Sequence, residues 1–420
     1  GITMRLLYLA LDCPLPANNG ARMRTWSMLQ ALHAEGCRIT LVCQRASEIL
    51  HARSELHQAC EAFWILDRRV GSLSQGHDWG RRLASLASPL PYAARRFRSA
   101  AVRALIRRLW VSTECEALVC DSVFGVVNVP PEARPLILNH HNIEHRIFTS
   151  YRKTEANALR RAAAGWESRK LYRWEMAAGE LAALHLVCSR VDRDCLLRQQ
   201  PQARVVVAPN IAPSAASDPV ADGQGAEEAD LVVFQGAMDW FPNRDAVDFF
   251  LAQIWPLVLR DQPGARMLIV GRQPPAAFLA RHRRQPRVEF TGTVEDVRPY
   301  LARAAVAVVP LRIGSGTRLK ILEAAAMGKA IVSTPLGAEG LEMAAGSEIV
   351  IAARPEEFAR EVTRLLASPP LRRRLGAAAQ ARVRADYSLD ALRRSVRQGL
   401  QQLPVRAAAD WPAAAATAWQ

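Results

Sequence analysis

The sequence predicts an α/β protein made of two doubly wound parallel-sheet domains. Short apolar runs alternate with longer amphipathic stretches from one end to the other, the pattern of βαβ units. At 420 residues the chain is too long for one ordinary hydrophobic core. The segment Pro213–Asp230, rich in Pro, Ser, Ala, Gly and acid, separates two such series and reads as a linker.

In the first series the strand candidates are Arg5–Ala10, Arg38–Val42, Ala117–Cys120, Leu136–Asn139, Leu184–Cys188 and Val205–Val207. Helical patterns over Thr25–Glu35 and Asn157–Ala183 lie among them. In the second, the candidates are Leu231–Phe234, Arg266–Val270, Val288–Phe290, Val306–Val309, Ala330–Ser333 and Glu348–Ile351. Helices over Pro369–Ala385 and Leu389–Leu403 close the pattern, and an Ala- and Pro-rich tail follows. The opening apolar run from Met4 meets Asp12 and Pro14 almost at once, so it reads as a buried strand rather than a signal peptide. No uncharged apolar run reaches about eighteen residues, so no transmembrane helix is expected.

Composition narrows the chemistry. The eight cysteines form no CxxC pair and none sits with histidines at metal-ligand spacing. They read as small core hydrophobes in a reducing, cytoplasmic compartment; neither a metal nor a redox cofactor is expected. The net charge of +15 is carried almost wholly by arginine, and its excess falls before residue 213, where 29 basic residues face 18 acidic ones. Such a field suits anionic headgroups or phosphorylated ligands, and equally a solvated surface with no partner. A dehydrogenase would need GxGxxG directly after the first strand. Residues Asp12–Gly20 do not supply it, and a Walker A loop is absent.

The most informative segment is Val306–Thr334, which reads as strand, glycine loop, helix, turn and strand. Gly314 and Gly316, with Ser315 and Thr317 between and after them, let backbone amides approach an anion, and the helix start adds its positive end. Arg312, Arg318 and Lys320 offer charge for a diphosphate, and Glu323 a carboxylate for ribose hydroxyls. A plain capped strand-to-helix turn fits the same spacing.

This segment closely resembles the donor-binding signature of the family 4 retaining glycosyltransferases. The resemblance extends in order through Val232–Asn243, Leu268–Arg272, Val288–Val294 and Thr334–Gly340, and to the histidine-bearing loop Asn139–Glu144. It implies the GT-B fold, two Rossmann-like domains facing each other across a cleft. The domains then run over 4–212 and 231–386, with the linker at 213–230, a helix over 387–404 crossing back to the first domain, and a frayed tail over 405–420. Within the family the chain is most similar to transferases of exopolysaccharide and exosortase systems.

Residue by residue, the resemblance makes Glu323 the ribose ligand and Thr293 and Val294 the loop bracketing the base. Gly236 belongs to the donor site, and His141 contacts the donor sugar, with His140 as the competing candidate. The first glutamate of the E-x7-E motif is Ser315 here, and Asn243 and Arg244 stand where a lysine is usual. Arg318 and Lys320, with Arg312, are expected to neutralise the diphosphate instead. In the first half Gly20 permits close approach of the donor, with Arg22 or Arg24 adding charge, while Asp121, Asn142 and Glu144 are candidates on the acceptor side.

The expected activity is metal-independent transfer, with retention, from a nucleotide-sugar to a glycan or lipid-linked acceptor. The basic stretch Arg95–Trp110 is amphipathic at helical spacing and suits either an anionic membrane at the inner face of the cytoplasmic membrane or packing on the first sheet. A nucleotide-sugar 2-epimerase and a degenerate scaffold remain alternatives. With no recognised binding motif, a nucleic acid partner is not expected.

Overall fold

The computed structural model describes residues 3–44, 49–66, 88–212, 226–272 and 274–404. The chain divides into two compact units, one of Gly1–Asn210 with Leu389–Gln420, the other of Ile211–Ser388. Each is a parallel sheet wound with helices.

The first unit holds seven strands, β1 (Arg5–Ala10), β2 (Arg38–Cys43), β3 (Ala62–Ile65), β4 (Ala117–Asp121), β5 (Leu136–Asn139), β6 (Leu184–Val187) and β7 (Val205–Val207), in the order β3-β2-β1-β4-β5-β6-β7. Central strands buried on both faces need continuous apolar runs, and Leu6 to Ala10 are fully buried. The strand order reverses between β1 and β4, where Ala10 pairs with Asp121 and Asp121 with Asn139. Ligands of open parallel sheets bind beyond the strand ends at such a switch point.

The second unit holds six, β8 (Leu231–Gln235), β9 (Arg266–Val270), β10 (Val288–Gly292), β11 (Val306–Val309), β12 (Ala330–Ser333) and β13 (Val350–Ile351), in the order β10-β9-β8-β11-β12-β13. Its switch point lies between β8 and β11. One continuous apolar core surrounds it, from Val232 and Phe234 to Trp255, Ile331 and Phe358.

Several elements depart from the sequence reading. The first helix starts at Gly20 rather than near Thr25, because the Asn19 side chain accepts a hydrogen bond from Arg22 N at 3.0 Å and caps it. The half-buried edge strand β3 lacks the apolar alternation that would announce it. The last strand shrinks to Val350–Ile351, because Gly346 N turns back to Ile349 O at 2.7 Å. The basic stretch Arg95–Trp110 is not one helix. It breaks into Tyr92–Phe97 and Ala100–Ser112 at an extended Arg98, and Ser99 caps the second piece. The apolar side of that piece, Val102, Ile106, Leu109 and Trp110, is buried in the core of the first unit.

The closing helix Leu389–Leu400 belongs to the first unit, where Arg393 and Arg397 reach the buried Glu35 at 3.0 and 2.6 Å. Their guanidinium groups hold that carboxyl below its ordinary value. The tail and most of the linker lie outside the described residues. Among the described residues no helix is long and apolar enough to cross a membrane.

Candidate functional site

In the second unit the polar side chains gather at the strand ends beside the switch point. Beyond β11 the chain forms a glycine loop and enters the helix Leu319–Ala326. Gly316 has φ +73°, a conformation costly for other residues, and a side chain on Gly314 would come within 2.6 Å of Arg318 Nη2. Arg318 is buried and donates to the carbonyls of Ser315 and Gly316, so it braces the loop from inside.

Lys320 reaches the end of β8. Its Nζ donates to Asn243 Oδ1 at 2.7 Å and sits 4.4 Å over the Phe234 ring. Gly236 leaves room for that ammonium: a Cβ there would lie 2.9 Å from it. Gly271 presses against the same loop, where a Cβ would fall 1.8 Å from Gly236 O. One turn along the helix, Glu323 accepts from Gln235 Nε2 at 2.6 Å, while Gln235 Oε1 is buried without a hydrogen-bond partner. Burial, then the neighbouring Arg318, pushes the Lys320 ammonium down to about 7. Burial pushes the Glu323 carboxyl up to about 7, against the pull of Lys320 and Gln235. Buried ionisable groups shifted this far toward neutrality mark a candidate functional site.

Of the predicted donor residues, the structure brings together Gly236, Gly314, Ser315, Gly316, Thr317, Arg318, Lys320 and Glu323. Arg312 pairs with Asp245 at 2.6 Å and stacks over Phe249 at 4.5 Å, so its charge is partly compensated. Ser315 is buried rather than presented to the opening. Thr293 and Val294 follow β10, three strand spacings from β11, or roughly 14 Å. Gln235 was missed because a glutamine ending an apolar strand carries no sequence signal.

In the first unit His141 Nε2 meets Asp121 Oδ1 at 2.9 Å. Asp121 is buried and also accepts from Tyr8 OH at 2.9 Å, from Asn139 Nδ2 at 2.5 Å and from Thr25 Oγ1. Burial opposes its charge, but His141, Thr25 and Asn139 together hold its carboxyl below the ordinary value. Asp121 thus stands behind His141 as its support, not on an open acceptor face as expected. His140 is stacked on His185, with Nε2 to Nδ1 at 3.0 Å, and burial drives its pKa well down. It belongs to the core.

Arg24 donates to Asn139 Oδ1, Asn210 Oδ1 and Ala208 O at 2.7 to 3.0 Å, and Arg22 pairs with Asp12 at 3.0 Å. Both are buried and bonded within the first unit. Gly20 is exposed at the helix start. Asn142 approaches Glu144 at 3.4 Å. Burial and the charge of Glu175 push the Glu144 carboxyl up to about 8. Glu175 itself caps the following helix, accepting from Glu144 N and His145 N at 2.7 and 3.0 Å.

Residues 229–368 match the family model described as Glycosyl transferases group 1, and they include Gln235, Gly236, the glycine loop, Lys320 and Glu323. The match supports a glycosyltransferase. Over 378 residues the chain is 20% identical to an uncharacterised 44.6 kDa protein in the cps region of Klebsiella pneumoniae, covering 85% of this chain and 90% of that one. Sucrose-phosphate synthase from Thermosynechococcus elongatus superposes with TM-score 0.66 at 16% identity, over 95% of this chain and 99% of the other. HepE from Anabaena, solved with UDP and glucose, superposes with TM-score 0.61 at 14% identity, over 95% and 99% of the two chains. These likenesses establish the GT-B fold.

Proposed function

We propose that the chain moves a sugar, with retention and without a metal, from a nucleoside-diphosphate donor to a hydroxyl of a glycan or lipid-linked acceptor in surface-polysaccharide synthesis. One observation carries this reading: Lys320 and Glu323, both shifted toward neutrality, lie on the helix that follows the glycine loop at the switch point of the second sheet. The hard step of such a transfer is departure of the diphosphate, on which negative charge grows. Lys320, fixed by Asn243, and the helix start supply positive potential there, with the braced loop holding its amides in place. Glu323 is the ribose ligand, and the edge loop at Thr293 and Val294 takes the base. On the first unit, His141, held by Asp121, is the sugar ligand that the resemblance to family 4 supports. The resemblance to family 4 supports retention by same-face attack. That HepE was solved with UDP-glucose supports a nucleotide-sugar donor. The cytoplasmic face of the membrane is the proposed place of action.

A thermal-shift panel of UDP-, GDP- and ADP-sugars tests the reading. A true donor at a hundred times its Kd stabilises the fold by about 2.7 kcal/mol. Failure of every nucleotide to shift the melting temperature refutes the donor site. The buried Ser315 in place of a glutamate favours a second reading, a scaffold that binds nucleotide without transfer; it predicts stabilisation with neither hydrolysis nor transfer.

A further inference from the structure

The helices Glu144–Thr154 and Ala158–Glu180 form a hairpin in the first unit. The base of the longer helix is anchored. Leu171, Trp174 and Ala178 lie in the core, and Trp174 Nε1 donates to Val123 O at 3.0 Å. Its first half behaves differently. Leu159 is 82% exposed and Trp166 45% exposed, seven residues apart and therefore on one stripe of the helix. Ala162 and Ala163 complete that stripe and are exposed too.

Exposed cations lie near it: Arg169 and Arg173 fall beside the stripe on the same helix, Arg160 and Arg161 sit at the start of that helix, and Arg152 and Lys153 near the end of its neighbour. Of the acids nearby, Glu155 faces Arg160 and offsets part of its charge. Glu155 accepts from the Tyr151 hydroxyl and, at 2.9 Å, from Asn157 N, while Glu167 pairs with the buried Lys170 at 3.3 Å and accepts from Tyr92 N. The turn is well ordered by its own bonds, since Asn157 Oδ1 caps the second helix at Leu159 N and Arg160 N. An apolar stripe with a tryptophan, flanked by arginines on a hairpin, matches a surface that is anionic outside and apolar within.

We propose that this hairpin is the docking surface of the chain for an anionic phospholipid membrane, with Leu159 and Trp166 entering the headgroup boundary and the arginines pairing with lipid phosphates. It takes the place of the Arg95–Trp110 stretch, whose apolar side is already buried. The proposal stands on exposure and charge alone and is independent of the donor site.

The test is co-sedimentation of the full chain with vesicles of phosphatidylcholine containing about a third phosphatidylglycerol, beside pure phosphatidylcholine. The expected result is binding to the anionic vesicles at low salt, weakened as salt rises. Leu159→Ser with Trp166→Ser should lower partition by at least about ten-fold. Arg169→Ser and Arg173→Ser should each lower it roughly five-fold. Melting temperature and the donor-induced shift should stay unchanged in all of them, which separates this surface from the donor reading. Absence of vesicle binding at low salt overturns the proposal, as does indifference to the Leu159 and Trp166 changes. Self-association, or RNA binding in preference to vesicles, that the same changes abolish would assign the hairpin to another partner and overturn it as well.

Discussion

The two units share a fold plan but treat their buried polar groups in opposite ways. At the strand ends of the first unit, hydrogen bonds link Asp121, Asn139, Arg24 and Asn210, with Arg24 Nε left over, and His141 joins them through Asp121. Those bonds hold the Asp121 carboxyl below its ordinary value. At the strand ends of the second, the network is left incomplete at Gln235 Oε1, and Lys320 and Glu323 are both shifted toward neutrality. A hydrogen-bonded carboxylate held in its charged form fixes geometry. Buried groups shifted toward neutrality mark a candidate functional site. The contrast between the units is therefore one of charge state.

The largest expected effect falls on the incomplete network. Lys320→Ala should lower turnover by roughly a hundred-fold or more and remove the donor-induced melting shift while leaving the fold intact. Steady-state kinetics and thermal shift read both, and near-normal rates would erase the contrast between the units.

Next come the two carboxylates. Asp121→Ala strands the Tyr8, Thr25, Asn139 and His141 groups in the interior and should destabilise the first unit by roughly 3 kcal/mol. Glu323→Gln, which removes a charge that burial already penalises, should leave stability nearly unchanged and weaken nucleotide binding. Urea titration of both variants makes the comparison; equal losses would contradict it.

The units should also answer acid differently. Burial drives His185 from 6.5 to about 4, so its contribution is present above 6.5 and lost as pH falls toward 4. The Glu323 carboxyl moves from 4.5 up to about 7, so its contribution is present below 4.5 and lost as pH rises through 7. Lys320, brought from 10.5 down to about 7, contributes above 10.5 and loses that contribution as pH falls to 7. Between pH 6.5 and 4.5 the lowered His140 and His185 should therefore weaken the first unit on acidification, against a gain from its Glu144, raised to about 8, while Glu323 in the second unit only gains. Hydrogen exchange resolved by unit measures this directly, and parallel trends would count against it.

The smallest effect belongs to Arg312→Ala. It loses a partly exposed ion pair and a ring contact, and should cost no more than about 1 kcal/mol. A large loss of donor affinity in that variant would restore Arg312 to the phosphate site.

What could be read from the sequence follows the same division. Strands such as Leu136–Asn139, Arg266–Val270 and Val306–Val309 announce themselves because a strand buried on both faces must be apolar throughout. Lys320, Glu323 and Gly236 were legible because glycines and charges directly after such strands are local signals. The support of His141 by Asp121 was not. It joins the ends of neighbouring strands that lie twenty positions apart, and only the pairing of β4 with β5 brings them together. The split of Arg95–Trp110 was hidden for a different reason: helical periodicity continues through Arg98, and the break is decided by the Ser99 cap.

The return of the helix Leu389–Leu400 to the first unit makes the second an insertion within it rather than a successor. Both ends of the inserted segment lie together, tied by the hydrogen bond from Ala212 N to Tyr387 O at 3.0 Å. A truncation after residue 210 would strip the first unit of its last helix and leave Glu35 buried without its arginines. Residues 211–388 are instead the natural cassette, a segment that can be excised or exchanged between chains through a single seam.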